Sequence, residues 1–232
     1  MKTPNAIHRM QDATRFRAVL FDLDGTLLDT LTDLANAMNR ALVKMDFPAH
    51  PIEAYKYFVG DGVENEAKRT LPKDRLDPET IAKCIELSRA EYHICWQENT
   101  RPYPGIPELL DELTRRGIPM AVLSNKPDDF TKIMVARILS HWRFEAVQGA
   151  VADVPVKPEP AGALQIAKEL NIPPDKILYL GDTNTDMKTA VNAGMYPVGC
   201  LWGFRSADEL TKNGAKSLVD HPNDIFKLLD KS

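Results

Sequence analysis

The sequence predicts an α/β protein: a mostly parallel sheet with an all-helical insertion close to its first strand. Three observations carry that prediction. Apolar runs of strand character alternate with amphipathic helical stretches from residue 104 onward, an alternation that builds parallel sheets covered by helices on both faces. Residues 30–100 show helical periodicity and turns without a convincing strand. Polar residues suited to chemistry fall just after the strand runs, where open α/β sheets gather their functional groups.

Taken in order, residues 1–17 are polar and mixed, with no apolar core of a secretory signal, and read as a flexible leader. Ala18 to Phe21 is a short apolar strand ending at Asp22. Leu31, Leu34, Ala35, Met38, Ala41, Leu42 and Met45 then recur at helical spacing until Pro48 and Pro51. Ile81, Cys84, Ile85, Ser88, Tyr92, Cys95 and Trp96 mark another helix, and the stiff run Arg101 to Gly105 reads as a hinge. The division expected is a core of residues 18–29 and 101–232 with a helical insertion of residues 30–100. Within the core, strands are expected at Ile118 to Leu123, weakly at Phe144 to Val147, at Lys176 to Leu180, at Pro197 to Leu201 and weakly at Ser217 to Val219. Helices are expected between them.

The 232 residues suffice for a substantial core, and 44% hydrophobic with 27% charged residues is ordinary globular composition. A net charge of −4 argues against a nucleic-acid or anionic-membrane partner. No apolar run reaches the length of a membrane span. Cys84, Cys95 and Cys200 have no paired metal-ligand spacing and read as thiols in a reducing compartment, so a cytoplasmic location is expected.

The stretch that organises the chain runs from Phe21 to Asp29, with Asp22 and Asp24 where the strand ends and Gly25 letting the backbone turn. Two carboxylates where a strand meets a tight turn raise each other's pKa unless a cation relieves them, and a hard divalent ion prefers such oxygen ligands. By itself Asp-x-Asp-Gly is equally a strand followed by a polar turn. Other strand ends add Ser124 with Asn125, and Asp182 with Asp186 one helical turn beyond it. Lys157 lies in a loop entering the same edge. Four carboxylates, a hydroxyl and a cation fit a metal ion plus a phosphoryl group.

On these residues the chain resembles the haloacid dehalogenase superfamily of phosphohydrolases. Its four signature segments stand in order: Asp22-Leu23-Asp24-Gly25-Thr26, Ser124, Lys157-Pro158 and Gly181-Asp182-x-x-x-Asp186. Tyr103-Pro104-Gly105, Ser124-Asn125-Lys126-Pro127 and the segment Pro197 to Phe204 look closest to the phosphoglycolate phosphatase-like branch. The resemblance implies a Rossmann-like, mostly parallel core with an inserted helical cap domain. It also implies a Mg²⁺-dependent phosphomonoesterase acting on a small phosphorylated metabolite, 2-phosphoglycolate being favoured.

In the roles so implied, Asp22 attacks phosphorus and forms an aspartyl-phosphate, and Asp24 serves as general acid and then base. Mg²⁺ is held by Asp22, the Asp24 carbonyl and Asp182, with Asp186 binding directly or through water. Ser124, Asn125 and Thr26 hold phosphoryl oxygens, and Lys157 neutralises developing charge. Lys126 flanks the site as a candidate contact for a substrate carboxylate or as a merely exposed lysine. A phosphosugar mutase of the same class is the principal alternative, since it would share all four segments; a pyrophosphatase or nucleotidase also fits. A phospho-receiver domain and a non-catalytic interaction protein are disfavoured by the Asp22-x-Asp24 spacing and by the completeness of the set.

Overall fold

A computed structural model describes residues 15–230. Most of the expected leader, residues 1–14, lies outside the described residues. Phe16 is buried against Tyr196, and the Arg17 amide donates to the Lys176 carbonyl. The packed chain therefore begins short of the expected boundary at residue 18.

The main sheet has six strands: β1 (Ala18–Phe21), β4 (Met120–Pro127), β5 (Ala146–Ala150), β6 (Ile177–Gly181), β7 (Tyr196–Cys200) and β8 (Ser217–Val219). Their spatial order is β5-β4-β1-β6-β7-β8 and every pairing is parallel. All four residues of β1 are fully buried, as a central strand with helices on both faces requires. Register sets the site. Phe21 stands opposite both Val122 and Leu180, so Asp22, Ser124 and Asp182 emerge at one carboxyl-terminal edge.

The strand expectations hold with shifts. β4 runs on through Ser124-Asn125-Lys126-Pro127, where a loop was expected, because Pro127 pairs again with Ala150 after an irregularity in the ladder. β5 begins later than its weak pattern suggested. A second, two-stranded antiparallel sheet joins β2 (Leu28–Asp29) to β3 (Arg101–Pro102). At two residues each these strands are too short to leave a period-two pattern, so the hinge reading of 101–105 missed them.

Between β2 and β3 lie α1 (Leu31–Lys44), α2 (Tyr55–Phe58), α3 (Val63–Thr70) and α4 (Pro78–Cys95). Among the described residues no helix is long and apolar enough to cross a membrane. Asp77 starts α4 by accepting the Thr80 amide at 2.9 Å, with Pro78 in the first turn, where its missing N–H costs nothing. Met38, Leu42, Tyr55, Ala67, Ile81 and Cys84 form an apolar cluster of their own, which Phe204 joins from the sheet side. Fully buried Asp33 on α1 accepts from the amides of Asn99 and Thr100 and from both of their side chains. That knot fixes where the helical segment re-enters the sheet. The remaining helices, α5 (Ile106–Arg116), α6 (Asp128–Ile138), α7 (Ala161–Leu170), α8 (Asn184–Asn192), α9 (Ala207–Lys212) and α10 (Phe226–Leu229), follow the alternation read from sequence.

Candidate active site

The sheet edge gathers Asp22, Asp182 and Asp186, each buried, with one carboxylate oxygen from each lying within 4.8 Å of the others. Asp22 follows β1 directly, and Asp182 follows β6. Asp186 is placed by a capping box: Thr183 accepts the Asp186 amide, and the Asp186 carboxylate accepts the Thr183 amide at 3.0 Å and its hydroxyl at 2.6 Å.

Lys157 fits into this cluster, its Nζ donating to Asp22 Oδ1 at 2.8 Å, to Asp186 Oδ1 at 2.7 Å and to the Leu123 carbonyl at 3.1 Å. Burial opposes the lysine's charge, yet Asp186 and Asp22 hold its pKa well above the ordinary value. Burial, followed by repulsion from Asp186, pushes the Asp22 carboxyl well above the ordinary carboxylate range despite the Lys157 bond. Asp182 is pushed up to about 7 by burial and by Asp186, against hydrogen bonds from the Phe204 amide and Thr26. One lysine thus leaves the three acids under-compensated. A divalent cation taking oxygens of Asp22 and Asp182 fits that deficit, and the all-oxygen donor set suits Mg²⁺. Both Asp186 oxygens are already engaged by protein donors, which suits a water-mediated contact better than a direct one.

The other residues singled out in the sequence also meet here, several with partners other than those expected. Thr26 is fully buried and its hydroxyl donates to Asp182 Oδ1 at 2.9 Å, so its side chain orients an acid instead of facing a phosphoryl group. Asn125 Nδ2 donates to the carbonyls of Gly60 and Lys157, and its Oδ1 accepts the Lys157 amide at 2.8 Å. It ties the helical segment to the lysine loop. Ser124 Oγ accepts the Lys126 amide at 3.2 Å, leaving its own proton to donate. Lys126, read as a candidate exposed lysine, is buried: its Nζ reaches both Asp24 oxygens at 3.0 and 3.1 Å and lies 4.5 Å from the centre of the Tyr92 ring. Burial works against this charge as well, but Asp24 keeps the Lys126 pKa above its ordinary value.

Two glycines shape the edge: Gly25, expected at the turn, and Gly203, whose approach to Asp182 has no signal in a linear reading. Gly25 has φ +87°, and a Cβ there would come within 2.3 Å of Asp182. Gly203 approaches Asp182 as closely, where a Cβ would sit 2.2 Å from its Cβ, and the following Phe204 amide donates to Asp182 Oδ2 at 2.8 Å. Glycine is required at both for the carboxylate to sit in contact with two loops.

Above the edge is a cavity of about 100 Å³ between the sheet and the helical segment. Asp22, Asp24, Ser124 and Lys126 line its floor; Met38, Val59, Val63, Glu66 and Ile85 line its roof. The segment is latched down around it. Asn125 holds the Gly60 carbonyl, Arg205 Nη2 donates to the Val59 carbonyl at 3.1 Å, and Thr185 donates to Asp61. The Gly60-Asp61-Gly62 loop accordingly sits against this sheet edge.

Comparison with known proteins agrees with this geometry. Residues 19–200 match the model of the family described as haloacid dehalogenase-like hydrolase. The chain is 30% identical to a phosphoglycolate phosphatase of Pseudomonas putida over 212 residues, 88% of this chain and 76% of that protein. It is likewise 30% identical to a phosphoglycolate phosphatase of Aquifex aeolicus, over 92% of this chain and 97% of that one. A crystal structure from Lactobacillus delbrueckii subsp. bulgaricus, named provisionally as a phosphoglycolate phosphatase, superposes with a TM-score of 0.87 at 29% identity, covering 94% of this chain and all of that one.

Proposed function

The chain belongs to the haloacid dehalogenase-like hydrolase family, and from that premise we propose that it is a Mg²⁺-dependent phosphomonoesterase working through an aspartyl-phosphate on Asp22. That it is a phosphoric monoester hydrolase follows from the family and its relatives. The observation that supports the mechanism is the buried edge itself: Asp22 and Asp24 both open to one cavity, with Lys157 bonded to Asp22 from behind.

Lys157 holds Asp22 Oδ1, which leaves the other oxygen to attack phosphorus. As that bond forms, the ester P–O bond breaks and Asp24 gives its proton to the leaving oxygen. Water then attacks the phosphorus of the aspartyl-phosphate, Asp24 takes the water's proton, and the P–O bond to Asp22 breaks to release phosphate. Lys126 bonds both Asp24 oxygens, which orients that carboxyl group beside Asp22 at the cavity floor. Ser124 donates to a phosphoryl oxygen, and Lys157 neutralises charge on the group being transferred. Mg²⁺, held by Asp22, Asp182 and the Asp24 carbonyl, with Asp186 through water, would offset repulsion between nucleophile and phosphate. Residues 30–100 serve as a cap that excludes bulk water from the acyl phosphate. Free, buried Cys84, Cys95 and Cys200 fit a cytoplasmic setting.

The substrate is a small phosphate ester, and the relatives' names put 2-phosphoglycolate first. The test is release of inorganic phosphate from a panel of phosphomonoesters, with Mg²⁺ and with EDTA. Release is expected only with the metal, and Asp22→Asn is expected to cut turnover by roughly 10⁴-fold or more while the fold persists by circular dichroism. An Asp22→Asn protein that turns over at the parental rate would remove Asp22 as the nucleophile.

A further inference from the structure

Glu66 is distinguished by the partners it lacks. It lies on α3, is only 8% exposed and lines the cavity roof among Met38, Val59, Val63 and Ile85. Among the described residues no hydrogen-bond donor reaches its carboxylate. Glu64, on the same helix, shows the ordinary fate of such a residue: it is exposed and pairs with Lys68 at 2.5 Å. Burial, with the Asp24 charge adding to it against Lys126, raises the Glu66 carboxyl to about 7. Its oxygens are not sealed in the packing but open to the cavity, where a bound ligand can supply the donor they lack.

The cations lining the same cavity are already taken. Lys126 is held by both oxygens of Asp24, and Arg89 pairs with Asp129 at the rim. A leaving group bearing a carboxylate would meet engaged cations below and a bare carboxylate above. One bearing a hydroxyl or an ammonium would give Glu66 the donor it lacks, within walls that are otherwise mostly apolar.

We propose that Glu66 is a specificity-determining residue, selecting phosphate esters whose leaving group carries a hydrogen-bond donor over esters whose leaving group carries a carboxylate. The inference rests on the phosphomonoesterase reading above, and it weights the substrate differently from the relatives' names. A site built around a polar contact rejects the analogue lacking that contact more strongly than an apolar pocket rejects a misfit.

The experiment compares kcat/KM for glycerol 3-phosphate, phosphoethanolamine and 2-phosphoglycolate in the parental protein, Glu66→Leu and Glu66→Gln, with Mg²⁺. The parental protein is expected to favour one of the donor-bearing esters over 2-phosphoglycolate by at least ~10-fold. Which of the two leads tells hydroxyl from ammonium. Glu66→Leu is expected to lower that preferred ester by at least ~10-fold and to raise 2-phosphoglycolate. Glu66→Gln, which keeps an acceptor oxygen and serves if the leucine variant fails to fold, is expected to fall between. A parental preference for 2-phosphoglycolate, or equal losses on all three esters in the variants, overturns the proposal and leaves the phosphatase reading standing. Absence of Mg²⁺-dependent release from every ester would overturn both.

Discussion

The floor and the roof of the cavity are built on opposite principles. On the floor, and among the acids clustered with Asp22 behind it, every carboxylate has protein partners: Asp22 has Lys157, Asp24 has Lys126, Asp182 has Thr26 and the Phe204 amide, and Asp186 has Thr183 and Lys157. On the roof a single carboxylate, Glu66, stands among apolar side chains with none. Groups that must meet charge developing in a transition state are useful only when already oriented, so their positions are fixed by several bonds each. A group that recognises the variable part of a ligand must leave its lone pairs for that ligand. On the proposed function, the two walls separate reaction from recognition.

The sharpest way to break this contrast is to remove the cation that holds Asp22 from behind the floor. Lys157→Met leaves Asp22, Asp182 and Asp186 buried together with no lysine between them. Removing one partner of a buried ion cluster typically costs about 3–5 kcal/mol, and urea unfolding is expected to show a loss of that size. Mg²⁺ is expected to restore part of the stability without restoring phosphate release, because a metal replaces the charge but not the bond to Asp22 Oδ1. A variant as stable as the parent without Mg²⁺ would show that the three acids are not the strained cluster described.

A milder change sharpens the contrast from the other wall. Glu66 has a folded pKa of about 7 against an ordinary 4.5. An acid whose folded pKa is raised contributes stability that is fully present below the unfolded value and is lost as pH rises through the folded one. The parental protein should therefore lose stability between about pH 4.5 and 7 relative to Glu66→Gln, which cannot ionise there. By pH 8 the glutamine variant is expected to be more stable by up to ~3 kcal/mol, with a gap below ~1 kcal/mol at pH 5. Taking the difference between two proteins cancels the titration of the floor acids, which both share. An equal gap at both pH values would put the Glu66 side chain in water and dissolve the distinction between the walls.

The same contrast explains what could be read from the sequence. Asp22 and Asp24 were legible because an apolar strand delivers them to a turn, and Asp182 with Asp186 because a strand precedes them and a helical turn separates them. Register then did the rest, since parallel pairing of β1 with β4 and β6 brings the strand ends level. Partners supplied by the backbone left no trace, which is why the Phe204 amide and the close approach of Gly203 to Asp182 appear only in three dimensions. Lys126 was ambiguous because a lysine reads alike whether solvated or buried. Glu66 was invisible for a related reason: Glu64, Asn65, Glu66, Lys68 and Arg69 together look like a solvated helix, and only the packing of α3 decides which of them turns inward. The β2–β3 pair was lost to its shortness.

The smallest effect is expected at the rim, where the walls meet. Arg89 on α4 pairs with Asp129 on α6, and the two side chains are 43% and 51% exposed. Arg89 also lies 5.4 Å from the centre of the Phe130 ring. Exposed pairs of this kind couple by about 0.2–1 kcal/mol, because water screens the attraction and ordering two long side chains costs entropy. A double-mutant cycle with Arg89→Ala and Asp129→Ala, read by urea unfolding, is expected to return a coupling in that range that fades as salt is raised. The comparison matters beyond its size. If rim and floor pairs were alike in kind, their couplings would scale with distance alone, and the rim pair, which is in hydrogen-bond contact, would match the Lys157 cluster. A rim coupling of several kcal/mol, insensitive to salt, would mean that the rim is as dry as the floor, and that the helical segment closes over the cavity more completely than the exposure of Arg89 and Asp129 implies.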